Sequence, residues 1–137
     1  MRLWHRDLII YLPRPQLLAQ WRELNLIFKR EPRHILINYI YTDEYKDKVD
    51  LFLYAQQLVD EMKRRHYKVN MANFNLYFQN ITPRGNIKPF EKYHNDEYLW
   101  ICYYNLKEKF MRGQKNFSLI EFNDLTEYIT HYRQEKG

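Results

Sequence analysis

The chain has 137 residues and a formal net charge of +5, and 45% of its residues are hydrophobic. This length fits one domain, and this apolar fraction suffices for a packed core, which excludes a disordered chain. The single cysteine, Cys102, excludes an internal disulfide. We find no signal peptide and no apolar run near the ~20 residues of a membrane span, so we expect a cytoplasmic protein away from the membrane.

A net charge of +5 suits a polyanionic partner, because phosphates that are neutralised by a basic protein release counterions. The charge alone is equally consistent with a basic protein that binds no nucleic acid. Only three glycines occur, which favours helices over a β-sandwich.

The spacing of apolar residues predicts a first helix over about 14–30. Pro15 suits the first turn, and Pro32 marks the end. Apolar side chains recur between them at spacings of four and three, which is the period of one helical face. These side chains are Leu17, Trp21, Leu24 and Phe28.

A second helix is predicted over 43–66, with Thr42 or Asp43 as its N-cap and a basic run at its end. The segment 70–92 is rich in Asn and Pro and is typical of a long loop, with a short strand at 75–78.

A third helix is predicted over 95–112, capped by Asn95 or Asp96 and ended by Gly113. Ser118 and Glu121 form a capping box for a C-terminal helix. Together these elements predict an all-α fold, a single helical domain over residues 1–137.

Glu23 is the most informative polar residue of the first helix. On a helical wheel it lies at the edge of the apolar stripe, with Arg22 on the opposite flank. A carboxylate at the edge of a core and near cations can be held ionised in a restricted environment. The alternative is a surface glutamate that pairs with an arginine.

Several motifs together resemble the pyrimidine-dimer DNA glycosylase family of the phage endonuclease V type, with this chain as a divergent member. The main match is the frame Leu-Leu-x-x-x-Arg-Glu-Leu at 17–24, preceded by the opening Met-Arg-Leu-Trp-His at 1–5. The basic-His pair at 33–34, the charged helix ending at 60–67 and the His-Asn-Asp start at 94–96 follow in the family's order.

The resemblance implies a DNA glycosylase and abasic-site lyase that acts on damaged or abasic duplex DNA. It implies that the Met1 amine is the nucleophile, that Glu23 is its partner and that no cofactor is needed. An α-amino group ordinarily titrates near pH 8, so roughly a tenth of it is neutral and nucleophilic at pH 7. The residues expected to contact DNA are Arg2, Arg22, Arg30, Arg33, His34, Lys63, Arg64 and Arg65.

A second hypothesis is a nucleic-acid-binding or regulatory protein on the same fold, without chemistry. Two features favour this second hypothesis. The bulky Arg2 favours retention of Met1, and Leu26 stands where the phage enzyme has a second arginine. A metal site is not expected, because the five histidines and one cysteine show no ligand spacing.

Overall fold

The computed structural model describes residues 1–82 and 87–136, and over these ranges the chain is helical with no β-strand. No helix within the described ranges has the length and apolar character needed to cross a membrane. The described residues form five α-helices: α1 (Arg14–Arg30), α2 (Val49–Arg64), α3 (Ala72–Tyr77), α4 (Asp96–Met111) and α5 (Leu119–Lys136). The all-α prediction is therefore confirmed.

Helix α1 has the bounds that its sequence predicts. Pro15 lies in the first turn, where its missing N–H removes no intrahelical hydrogen bond. The helix ends at Arg30. Glu31, which lies between Arg30 and Pro32, has a left-handed backbone (φ 46°), and its N–H donates to the carbonyl of Ile27. The apolar stripe of the helix faces the core, as predicted.

Helix α2 begins six residues later than predicted, at Val49. Residues Asp43–Tyr45 form a short 3₁₀ helix instead, and Thr42 makes no side-chain cap. The cause is Lys48, whose left-handed backbone (φ 65°) breaks the helical path. The Asp47 carboxylate then accepts a hydrogen bond from the Val49 N–H, 3.1 Å away.

The predicted strand at 75–78 is wrong, because α3 occupies Ala72–Tyr77. The side chain of Asn70 accepts a hydrogen bond from the Ala72 N–H at 3.0 Å and turns the chain into this helix. Phe74 and Phe78, four residues apart, then contact the ring of Phe28 on α1. The predicted loop between the second and third long helices thus contains a short helix, and residues 83–86 of it lie outside the described residues.

The predicted caps of α4 and α5 are confirmed. The Asn95 carboxamide accepts from the Tyr98 N–H at 2.9 Å. Ser118 and Glu121 form the reciprocal capping box, with hydrogen bonds of 2.9 and 3.1 Å. These bonds satisfy backbone N–H groups that lack partners in the first turn of a helix.

The N-terminal segment lies inside the core and is covered by the long helices. Leu3, Leu8 and Leu12 have no solvent-exposed surface. Between them, Arg6–Tyr11 forms a 3₁₀ helix that contacts α2, α4 and α5. The position of the chain's first residues is therefore determined by core packing.

Gly113 ends α4 with a left-handed backbone (φ 81°), and the N–H of Gln114 donates to the Lys109 carbonyl at 3.0 Å. A Cβ at this position would meet nothing within 4 Å. The cost of Gly113→Ala is therefore conformational, roughly 1 kcal/mol of unfolding free energy. We expect urea denaturation to show this loss, with a smaller loss for Gly113→Asn, because asparagine tolerates this conformation better. An alanine variant as stable as the wild type would contradict the analysis.

Candidate active site

Glu23 is half-buried on α1, and its surroundings act on its charge in opposite directions. Burial raises the pKa of the carboxyl group, since the charged form loses hydration. The positive charge of the N-terminal amine of Met1 is the next largest influence and lowers the pKa, and Arg22 lowers it further. The terminal amine and the Glu23 carboxylate therefore lie close enough to interact.

A buried glutamine connects this carboxylate to the N-terminal backbone. Gln20 is 1% exposed. Its amide nitrogen donates to the Glu23 carboxylate and to the carbonyl oxygen of Arg2, each at 3.0 Å. Its amide oxygen accepts from the Trp4 N–H at 2.8 Å. One side chain thus binds the first turns of the chain and the candidate catalytic carboxylate.

Tyr54 of α2 supports the same arrangement from the core. Its side chain is fully buried, and its hydroxyl lies 2.7 Å from the Trp4 carbonyl oxygen and 3.0 Å from the Gln20 amide oxygen. Both are acceptors, so the single hydroxyl proton is shared between them. Burial raises the pKa of Tyr54, which keeps the hydroxyl protonated as a donor.

Helix α4 binds the other side of the N-terminal segment. The Tyr98 hydroxyl donates to the Leu3 carbonyl, and the His5 N–H donates to the Cys102 sulfur at 3.4 Å. The charge of Arg2 opposes the rise that burial causes in the pKa of Cys102. The Arg2 side chain is therefore directed towards α4 while its carbonyl is held by Gln20.

Four of the predicted DNA contacts lie along the second half of α1 and the turn beyond it. Arg22, Arg30, Arg33 and His34 are exposed. The Arg33 guanidinium lies 3.8 Å from the centre of the Tyr41 ring, which is a cation–π arrangement. A cavity of about 140 Å³ adjoins this pair and is lined in part by Arg33, Tyr41 and Lys48.

The basic run at the end of α2 has different neighbours. Arg64 and Arg65 both bind the carboxylate of Glu61, which is only 4% exposed. Arg65 also donates to the carbonyl of Ile10. From Tyr54, which faces Gln20, to Arg64 the helix rises about 15 Å. Arg64 and Arg65 therefore lie roughly three helical turns along α2 from Tyr54, the residue that contacts Gln20, and Lys63 beside them is exposed.

Gln20 was not among the residues singled out from the sequence, although a signal existed. It lies three residues before Glu23 and three after Leu17, inside the apolar stripe of α1. A polar residue in a buried stripe must find hydrogen-bond partners. The sequence could not show that those partners come from the N-terminal backbone and Tyr54. No group of three potential ligands within the described ranges is placed to hold a metal ion.

One comparison with known proteins identifies a family. A family model described as pyrimidine dimer DNA glycosylase matches residues 1–75, which is more than half of the chain and includes Met1, Gln20, Glu23 and Tyr54. The chain belongs to this family. At the level of the family its function is that of a DNA repair glycosylase, with DNA as the substrate class. The searches of curated proteins and of solved structures gave no match.

Two buried histidines beside the N-terminal segment carry a pH dependence. His5 and His94 are 2% and 1% exposed, and the ring centres are 5.4 Å apart. The Nδ1 atom of His94 accepts from the Arg6 N–H, and its Nε2 atom lies 2.8 Å from the Tyr39 hydroxyl. Burial lowers the pKa of His5 to about 4, with Asp7 opposing the shift. Burial, His5 and Arg6 lower the pKa of His94 to about 2.

Because a histidine in the unfolded chain titrates near 6.5, the unfolded state binds more protons than the folded state below that pH. We therefore expect the free energy of unfolding to fall as the pH drops from 6.5 to 4, by roughly 1 kcal/mol per pH unit for each histidine. His94→Gln should flatten this slope in urea titrations, whereas His131→Gln, at a surface position (66% exposed), should leave it unchanged. Equal slopes in all three proteins would contradict the assignment.

Proposed function

We propose that the chain is a DNA glycosylase and abasic-site lyase that works through a Schiff base on the amine of Met1. The observation that carries this proposal is the Gln20 amide nitrogen, which donates to the Arg2 carbonyl, one residue from the terminal amine, and to the half-buried Glu23 carboxylate, each at 3.0 Å. A nucleophile and a proton-transfer group in one restricted environment are the two parts that this chemistry needs. The family match over residues 1–75 supports the same reading.

In the proposed reaction the neutral Met1 amine attacks C1′ of the deoxyribose, and the bond from C1′ to the base breaks with its electron pair leaving on the base. Ring opening gives an iminium between the amine nitrogen and C1′. At a site that is already abasic, the amine condenses with the C1′ aldehyde and releases water. Removal of a C2′ proton then expels the 3′ phosphate by β-elimination. Glu23 stabilises the cationic sugar and accepts or relays the proton.

The test of catalysis is borohydride trapping of the Schiff base on abasic duplex DNA, with protein whose first residue is Met1. Glu23→Gln keeps the size and removes the charge, so it should slow strand cleavage by at least 100-fold, as expected for a group that acts in the transition state. DNA affinity should stay nearly constant. An N-terminal extension should abolish trapping, because it converts the Met1 amine into an amide and moves the free amine away from Glu23. Glu108→Gln, the same change at a side chain that is 68% exposed on α4, is the control.

The alternative is a DNA-binding protein without chemistry. It predicts no trapped adduct at any pH from 6 to 9, with DNA binding intact. That result with the wild-type protein would overturn the lyase mechanism and favour the alternative.

We further propose that DNA lies along the exposed cations of α1, with Arg2, His34 and the run at 63–65 as additional contacts. Phosphate contacts dominate such binding, so the affinity should fall steeply as salt rises. Arg22→Gln should weaken binding and reduce the slope of log affinity against log salt by about 1. Arg112→Gln removes a cation that is 78% exposed at the end of α4 and should leave the slope unchanged.

Lys63→Gln tests whether the end of α2 belongs to the same interface. Arg64 and Arg65 are poorer test positions, because replacing either would remove one of the two cations that bind the buried Glu61 carboxylate. A reduced slope for Lys63→Gln places this end of α2 in the interface, and an unchanged slope removes it. Binding of the wild-type protein that does not depend on salt would contradict the whole proposal.

A further inference from the structure

The side-chain amide of Gln20 joins three parts of the candidate site. We propose that Gln20 is a positioning residue that holds the Glu23 carboxylate and the N-terminal backbone in one geometry, and so controls how the amine and the carboxylate meet. This inference rests on the proposed function. It goes beyond that function because it assigns a role to a residue that takes no part in the proposed chemical steps.

The hydrogen bonds leave only one orientation for the amide. The Trp4 N–H is a donor and must face the amide oxygen, which lies 2.8 Å away. The Arg2 carbonyl is an acceptor and must face the amide nitrogen. The two hydrogens of that nitrogen are then divided between Arg2 and Glu23. A reversed amide would break both backbone bonds, so the donor directed at Glu23 is a consequence of the fold.

The hydrogen bond to Arg2 also restricts the position of the Met1 amine. Arg2 is one peptide bond from the Met1 amine, so fixing the Arg2 carbonyl limits where the amine can lie. The same nitrogen fixes one oxygen of Glu23. Since the productive arrangement of reacting groups tolerates only small displacements, loss of this shared donor should loosen the pair. The neighbouring anchors, Tyr54 on Trp4 and Tyr98 on Leu3, would remain and keep the segment in the core.

Gln20→Met removes the donor while it keeps the length and burial of the side chain. Gln16→Met is the matched control. Gln16 lies one turn earlier on α1 and makes two 2.8 Å amide bonds to Gln114. The full chain with Met1 as its first residue is used, and single-turnover borohydride trapping on abasic duplex DNA is measured from pH 5 to 9.

We expect Gln20→Met to slow trapping by about 10- to 100-fold, the effect of losing a hydrogen bond to a charged group. The acid limb of its pH profile should move to higher pH, because a carboxylate without that donor is harder to ionise. DNA affinity should change by less than about twofold, since the phosphate contacts are untouched. Gln16→Met should keep the wild-type rate and profile. A Gln20→Met protein with an unchanged rate and profile overturns the proposal.

A second readout separates this inference from the proposed function. The pKa of Glu23 is measured by NMR titration of its carboxyl carbon, which needs no activity. A higher pKa in Gln20→Met than in wild type and Gln16→Met supports the positioning role, and an equal pKa overturns it. If wild type forms no adduct, the lyase mechanism fails while this titration still decides the role of Gln20. If circular dichroism shows that Gln20→Met is unfolded, Gln20→Asn replaces it, because its shorter side chain keeps a neutral buried amide and withdraws the donor from Glu23.

Discussion

The burial of the N-terminal segment is the constraint on which the rest of this structure depends. A chain terminus is usually the least ordered part of a domain unless packing or hydrogen bonding holds it. Here Leu3 and Leu8 are fully buried, and the backbone between them is held from both sides. The charged amine cannot follow them into the core without losing its hydration. It therefore remains at the edge of the core, where Glu23 also lies.

This placement gives the site its electrostatic character. The Glu23 carboxyl group is partly dehydrated, which favours its neutral form, but the amine and Arg22 favour the anion. Carboxyl groups with a perturbed pKa occur most often at functional sites. Gln20 adds a neutral donor that stabilises the anion without a further charge. The site thus combines two cations, one anion and one neutral dipole where the N-terminal segment meets α1.

The helices could be predicted well where local sequence decides the structure. Pro15 suits the first turn of α1 because it lacks an N–H. The Asn95 cap of α4 and the Ser118–Glu121 box of α5 bind backbone groups only three residues away. The start of α2 could not be predicted from local sequence. It depends on a left-handed backbone at Lys48, and lysine has no particular preference for that conformation. Helix α3 depends on contacts with Phe28, more than forty residues away in the chain.

Some residues of the candidate site could likewise be identified from the sequence, and others could not. Glu23 and Arg22 could be identified from the helical pattern and the family resemblance. Gln20 as a connecting residue could not, because its partners lie sixteen residues away at Trp4 and thirty-four away at Tyr54. Glu61 was also missed, although its spacing of three and four residues from Arg64 and Arg65 is that of ion pairs on one helix. Local periodicity shows that Gln20 is buried, but its hydrogen-bond partners depend on the tertiary structure.

The part of the chain beyond the family match contributes to the site indirectly. The match ends at residue 75, yet Tyr98 and Cys102 of α4 bind the backbone of Leu3 and His5. The buried ring of His94 accepts the Arg6 N–H, and the Arg6 guanidinium donates to the His94 carbonyl. Without these partners, buried backbone groups of the N-terminal segment would lack hydrogen bonds, which is costly. The region after residue 75 therefore holds the N-terminal segment in place. The first 75 residues supply Gln20, which binds that segment, and Glu23, which Gln20 also binds.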